Sequence, residues 1–305
     1  MLLSQHIHSI PSTRRALAAP QSCRSLDHRP KFGPKPLPLI LVTGATGYIG
    51  SHVMLEILRS GKWGVVGIDN LCNSSPAVLT RVRTLAGPTA PPIFFHQLDL
   101  RDTRGLTKLF SSYKSSNGVC AITHVIHLAA LKSVARSKFD PIGYHSTNVI
   151  GTKSLLTTMN KFKVRSLVFS SSAVVYGFRP EHNLLSEEAC KVDSLNGAGS
   201  EAHGRITSPY GSTKLICEEL VQAASAKAGL RAVILRYSNP SGNEPSGLIG
   251  DSPLDPENLM PIVCQVLTGK REYVNIYGTD YDTRDGTGKP SFFFFFFFFF
   301  FFFFF

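Results

Sequence analysis

No two cysteines in this chain stand close enough to share a metal ion, and no stretch is basic enough to track a phosphate backbone. The six cysteines (Cys23, Cys72, Cys120, Cys190, Cys217 and Cys264) are widely spaced, with no CxxC pair and no Cys/His cluster. That pattern argues against a zinc site and against a disulfide scaffold, and it reads as reduced, mostly buried thiols in the cytoplasm. Acids are short by eleven, a net charge of +11. The excess is uneven: residues 1–38 hold Arg14, Arg15, Arg24, Arg29, Lys31 and Lys35 against Asp27 alone. Elsewhere it is scattered, without basic runs or interleaved aromatics, which argues against nucleic-acid binding. Internal repeats are also absent.

The two ends stand apart from the rest. Residues 1–36 are rich in Arg, Ser and Pro, as mitochondrial targeting segments are, but Pro30, Pro34 and Pro36 break any helix there. The plainer reading is a disordered extension. At the other end, 289–305 closes on an unbroken phenylalanine run, Phe292 to Phe305. Fourteen residues are too few to span a bilayer, so no membrane partner is expected. The run reads as an aberrant tail. Gly288-Lys289 can be encoded GGT-AAG, which contains a splice-donor-like GTAAG, and a T-rich intron translates to phenylalanine. Sequencing the transcript across codon 288 tests that origin.

Between the ends, periodicity is clear. Strands are expected at Leu37–Thr43, Val65–Asp69, Ile93–Leu98, His124–Leu128, Ser166–Ser170 and Arg231–Arg236. Helices are expected at 48–60, Pro76–Leu85, Arg101–Tyr113, Pro141–Met159 and Tyr210–Ala228. Alternation of this kind predicts an α/β fold, a Rossmann-type doubly wound parallel sheet over residues 37–238. The aperiodic stretch 178–208 reads as a loop insertion. Residues 239–288, with a helix at Asn258–Leu267 and a strand at Glu272–Tyr277, read as part of a smaller substrate-binding region.

Chemistry enters with a strand that runs straight into Gly44-x-x-Gly47-x-x-Gly50. The first glycine allows a tight turn, the second a close approach to pyrophosphate, and the third close packing of helix on sheet. Phosphates would then sit at the helix N-terminus. Asp69, nineteen residues after Gly50, stands where an acid binds the ribose hydroxyls of NAD and repels the extra phosphate of NADP. Asp99 ends the third strand, either facing the adenine or capping the strand. Downstream, Tyr210-x-x-x-Lys214 opens a helix, so both side chains share one face. A phenol with a pKa of about 10 becomes a usable base if a nearby ammonium and a nicotinamide cation stabilise the phenolate. Ser172, just past the fifth strand, would hydrogen-bond the same substrate oxygen.

The runs LVTGATGYIGSH, DNLCNSSP, HLAALKSV, FSSSAVVYG, SPYGSTK, LRYSNPSG, PSGLIGDSP, NLMP and IYGTDYDTRDGTG occur in this order. Over residues 38–288 they closely resemble the UDP-glucose 4-epimerase family of the extended short-chain dehydrogenases. The resemblance implies an NAD-dependent isomerase of galactose metabolism. It would interconvert UDP-glucose and UDP-galactose through a 4-keto sugar that swings about its pyrophosphate. It further implies NAD contacts from Tyr48, Ile49, Asp69, Asn70, Leu71, Cys72, Asn73, Ser74, Asp99, Leu100, Leu128, Ala129, Ala130, Leu131, Lys132 and Asn148. Ser172, Tyr210 and Lys214 become the catalytic group. Lys132, Ser172 and Tyr210, with Asn239, Asn258, Leu259, Asn275, Ile276 and Tyr277, would meet the UDP-sugar. A homodimer is common in the family.

Departures from the family pattern bear on activity. Ser238 stands beside the nicotinamide pocket where the family usually has Phe, Asn243-Glu244 replaces Ala-His, and Ser252 replaces an acid. After DGTG the family continues with a V-R-D-Y-I-H-V strand and the arginines that grip the UDP pyrophosphate. Here Lys289-Pro290-Ser291 and phenylalanine follow. Three readings therefore compete: a UDP-glucose 4-epimerase, a 4-epimerase of another nucleotide sugar, and a truncated, inactive NAD-binding fragment. For the chain as it stands the last is expected, since a sugar cannot be held through its rotation without those cations.

Overall fold

The computed structural model describes residues 37–177, 206–251, 253, 255–276, 278–281, 283–286 and the backbone of 292–294. Six parallel strands make one sheet: β1 (Leu39–Thr43), β2 (Gly64–Asp69), β3 (Ile93–Gln97), β4 (Ile122–His127), β5 (Ser166–Ser170) and β6 (Arg231–Leu235). Their spatial order is β3-β2-β1-β4-β5-β6. The order reverses between β1 and β4, and that break opens a crevice beyond the strands' carboxyl ends, where ligands of such sheets bind. β2 is buried along its whole length, as a central parallel strand covered on both faces must be.

One face of the sheet is covered by α1 (Tyr48–Arg59) and α2 (Ala77–Ala86). Val53, Met54, Leu58, Leu79 and Val82 pack there against Val42, Val65 and Ile126. α1 forms because Ile49, Val53 and Ile57 recur at helical spacing, and it stops at Gly61, whose φ is +68°. The other face carries α3 (Thr103–Ser112), α6 (Gly151–Lys161) and α7 (Pro209–Ala228), packed through Leu106, Phe110, Leu155, Met159, Cys217 and Val221. Each fully buried Leu or Phe contributes about 1.5–3 kcal/mol relative to exposure. Ser208 begins α7 by accepting from the Gly211 N–H at 3.1 Å, with Pro209 in the first turn, and Gly229 ends it in the left-handed region. Among the described residues no helix is long and apolar enough to cross a membrane.

Several local expectations change. The helix expected over Pro141–Met159 is interrupted: α5 (Pro141–Tyr144) widens into a π-helical turn, His145–Ile150, before α6. A short α4 (Val134–Phe139) precedes it and was not anticipated. The strand expected over Glu272–Tyr277 does not form. Residues 273–276 are irregular, and Tyr273 and Ile276 are exposed, because β-prone side chains alone supply no neighbour to pair with. Instead β7 (Asn239–Ser241) pairs in parallel with β8 (Phe292–Phe294), so part of the phenylalanine run is a strand. α8 (Leu259–Leu267) lies between. The thiols are also less buried than expected: Cys120 and Cys217 are buried, but Cys72 and Cys264 are exposed, one in the loop after β2 and one on α8.

Candidate active site

The glycine run places its backbone where side chains have no room. A Cβ on Gly44 would lie 2.9 Å from the Ala129 nitrogen in the loop after β4. One on Gly50 would lie 2.0 Å from the Gly44 carbonyl oxygen. The two loops flanking the crevice therefore touch through backbone, and α1 packs down on its own entry turn. Gly47, the N-cap of α1, has no side chain to cap the helix, so its first turn opens beside the glycine run. That is the arrangement a pyrophosphate fits.

Asp69 ends β2 and is buried. Its Oδ1 accepts from the Leu71 N–H at 2.9 Å and the Ser74 hydroxyl at 3.2 Å, and its Oδ2 accepts from the Thr46 N–H at 3.2 Å. One lone-pair site on Oδ2 is left for a ribose hydroxyl. Leu71 turns the loop with a φ of +61°. Asn70 donates to Asp99 at 3.0 Å and accepts from the Cys72 N–H, and Ser74 meets Thr46 at 2.7 Å, so 69–74 folds back over the glycine run. Asn73 lies in this loop, exposed. Asp99 is bound on both oxygens by Arg101, which holds its carboxyl far below the usual range. Its Oδ1 also accepts from the Arg101 N–H at 2.9 Å, which fixes the turn after β3. Leu100 turns into the core against Gly151.

A buried polar chain then crosses the crevice floor. Thr43 Oγ1 accepts from the Leu128 and Ala129 N–H groups, each at 3.1 Å, which leaves its hydrogen for His127 Nδ1 at 2.7 Å. His127 must therefore carry its proton on Nε2, which donates to Thr152 at 2.9 Å, and Thr152 donates to the Asn148 carbonyl at 2.6 Å. The Asn148 amide, in the π-helical turn, holds both polar atoms of Leu131 and reaches Thr213 on α7 at 3.0 Å. The wide turn is what lets one side chain join the 128–132 loop to the helix of Tyr210. Burial, aided by the nearby Lys214 charge, holds the His127 pKa down to about 3.

A pH effect follows from that depression. An unfolded His127 takes up a proton below its ordinary 6.5, and the folded one refuses it down to about 3. The stability it contributes is complete above pH 6.5 and is lost as pH falls towards 3. Denaturant melts between pH 7 and 4 are expected to show a shallower loss of stability in His127→Gln than in the parent. Equal slopes would contradict the buried neutral imidazole.

Ser172, Tyr210 and Lys214 come together at the mouth of this crevice. Ser172 caps the short 3-10 turn Ala173–Tyr176, and its side chain acts to lower the pKa of the Tyr210 phenol. Lys214 is buried and donates to the Ser170 carbonyl at 2.6 Å, its ammonium 5.1 Å from the Phe169 ring. The expected lowering of the phenol by this ammonium is not what the chain alone provides. Burial pushes Tyr210 up to about 12, the Ser172 side chain acts the other way, and one of the three Lys214 Nζ donors is taken by the Ser170 carbonyl. Burial also lowers Lys214 to about 8.

The residues expected to meet a sugar nucleotide divide. Asn239, Asn258 and Leu259 line one cavity of about 240 Å³ with Tyr48, Gly242, Asp251 and Cys264. Tyr48 closes its floor by donating to the Gly242 carbonyl at 2.6 Å. Asn258 sits at the N-cap of α8 yet makes no side-chain cap bond, unusual for an asparagine there. Ser238 is half-buried between Tyr237 and β7, and Lys132 is exposed at the end of its loop. Asn275 and Ile276 are exposed and do not line the cavity; Tyr277 lies outside the described residues, as does most of 178–208. A larger, shallower hollow of about 430 Å³ along Ser208, Ser212 and Ile216 touches none of the three catalytic candidates.

Two groups escaped sequence reasoning. The His127 chain leaves no spacing signal, but Glu218 does: it continues the face of Tyr210 and Lys214 at the same interval of four, and it is fully buried.

Known proteins resemble this chain in sequence and fold. The pattern of the NAD dependent epimerase/dehydratase family matches residues 40–289. UDP-glucose 4-epimerase 2 of Arabidopsis thaliana is 44% identical over 251 residues, 82% of this chain and 65% of that protein. The Haemophilus influenzae UDP-glucose 4-epimerase is 43% identical over 82% of this chain and 67% of its own length. Among solved structures, the Stenotrophomonas maltophila UDP-glucose-4-epimerase with bound NAD and formylated UDP-arabinopyranose superposes with a TM-score of 0.71 at 39% identity. It is covered over 70% of its length by 84% of this chain. The Bifidobacterium longum enzyme in complex with NAD+ and UDP gives a TM-score of 0.71 at 36% identity, with the same coverage. The chain thus spans about two thirds of the length of such relatives, and it belongs to the NAD dependent epimerase/dehydratase family.

Proposed function

We propose that this chain carries the cofactor and acid–base parts of an NAD-dependent epimerase that interconverts UDP-glucose and UDP-galactose. The observation that carries this reading is the convergence of three side chains: Ser172 bears on the Tyr210 phenol, and Lys214, one helical turn on, is fixed to the Ser170 carbonyl at 2.6 Å beside the glycine-lined crevice. Residues 44–50, Asp69 through Ser74, Asp99-Leu100, Leu128 through Lys132, Asn148 and Ser238 would hold NAD along the strand ends. When bound, NAD supplies the hydride acceptor and donor for C4 of the sugar. Tyr210 takes the proton of the C4 hydroxyl in one direction and returns it in the other. Ser172 orients that oxygen, and the Lys214 charge favours the phenolate. Asn239, Asn258 and Leu259 would hold the nucleotide sugar in the 240 Å³ cavity. A cytoplasmic homodimer suits the unpaired thiols of the described residues and the habit of the family.

A second reading has its own support. Among the described residues the cavity is lined by no cation, and its charged member is the acid Asp251, whereas a pyrophosphate needs positive partners. On that reading the chain binds NAD without turning over sugar. Incubating the purified chain with NAD and UDP-galactose separates the two. UDP-glucose formation, followed by NMR, supports the epimerase; bound NAD without UDP-glucose supports the second reading; no bound NAD contradicts both.

A further inference from the structure

We propose that Glu218 is a positioning residue of this site, holding the turn that presents Ser172 and serving as counter-charge to the Lys214 ammonium. The proposal rests on the reading of Tyr210 and Lys214 as the acid–base pair.

Tyr210, Lys214 and Glu218 follow one another at intervals of four along α7 and so share a face, the first two reaching the crevice and the third lying beneath. Glu218 is 0% exposed. It accepts from the Ser171 hydroxyl, and from Arg236 it takes three hydrogen bonds at 3.0, 3.1 and 2.6 Å. Ser171 lies between Ser170, whose carbonyl anchors Lys214, and Ser172, which meets Tyr210. Arg236, just past β6, is stacked 5.0 Å from the Tyr176 ring at the end of the 3-10 turn. The same loop is tied to the end of β6 by Ser171 N–H to Leu235 at 2.8 Å and Ala173 N–H to Tyr237 at 3.1 Å. One carboxylate therefore joins α7, the serine turn and the end of β6.

The charges around Lys214 give Glu218 its second role. Facing the ammonium are the Ser170 carbonyl and Phe169 ring from β5, His127 from β4, and Cys217 and Glu218 from α7. His127 is neutral and burial pushes the Cys217 thiol up, so the acid in this group is Glu218. Its field opposes the desolvation that lowers Lys214. A purely structural ion pair would need only Arg236.

The test reads Lys214 directly, in the full chain without nucleotide sugar, so it does not depend on turnover. Lysine labelled at the ε-nitrogen is titrated by NMR, with the Lys214 signal assigned through Lys214→Arg. Glu218→Gln is expected to lower the Lys214 midpoint by about one pH unit, and Glu218→Asp to recover part of the shift. Glu218→Gln leaves Arg236 unpaired and endangers the fold. The double change Glu218→Met/Arg236→Met removes both charges, an exchange that buried pairs often tolerate, and it is expected to show a smaller drop, because the opposing Arg236 charge goes with Glu218. An unmoved midpoint in either folded variant overturns the proposal. Where the parent turns over UDP-galactose, Glu218→Gln should lower kcat with KM and bound NAD unchanged. A parent that binds NAD but turns nothing over would refute the epimerase reading and leave the Lys214 titration to decide this one.

Discussion

Tyr210→Phe is expected to lower kcat for UDP-galactose about 10³-fold while leaving NAD bound, within the range usual for removal of a positioned general base. The substitution deletes one oxygen. The ring stays in its buried site, edge-on to Tyr144 with centroids 6.5 Å apart, so packing is preserved. What is lost is the hydroxyl beside Ser172, the group that takes the C4 proton on the proposed reading. On the proposed reading NAD would be held by the crevice of β1 and β4 and by the 69–74 loop, so its affinity should change little. Assaying turnover and bound NAD on the same preparation checks the split. A kcat within twofold of the parent would reject Tyr210 as the base.

Gly50→Ala is expected to remove the cofactor site itself. Its Cβ would stand 2.0 Å from the Gly44 oxygen, 2.9 Å from the Gly44 carbonyl carbon and 3.0 Å from the Ala45 Cα. All three belong to backbone, so no rotamer change relieves the clash. Either the Gly44–Gly47 turn opens or α1 lifts from the sheet, at a cost of about 1–3 kcal/mol or more. Both movements spoil the N-terminus of α1, and NAD affinity should fall about 100-fold or more, together with Tm. Gly61→Ala supplies the control. Gly61 also has positive φ, but its Cβ would meet nothing within 4 Å. It should cost only about 1 kcal/mol and leave NAD binding intact. Equal effects of the two substitutions would contradict the close-approach argument.

What could be read from the sequence was what local spacing encodes. The run from β1 through Gly44 to α1 was legible because the alternation of strand, turn and helix is uninterrupted. Tyr210 and Lys214 were legible because four residues make one helical turn. Glu218 obeys the same rule, but its partners Ser171 and Arg236 meet it only once β5, α7 and β6 are assembled. The chain from Thr43 through His127 and Thr152 to Asn148 spans more than a hundred residues and carries no period at all. The π-helical turn was hidden for another reason: residues 145–150 fit a helical pattern, and only the demands on Asn148 from Leu131 and Thr213 reveal the wider turn. At 272–277 the error ran the other way, since β-prone residues suggested a strand for which the described residues offer no partner.

The Tyr210→Phe and Gly50→Ala expectations both depend on a dinucleotide lying across the carboxyl ends of β1 and β4. Calorimetric titration of the purified chain with NAD tests that most directly. The structure predicts saturation at one NAD per chain, with heat abolished or strongly reduced in Gly50→Ala and retained in Tyr210→Phe. A folded parent chain that shows no saturable NAD binding would contradict the account.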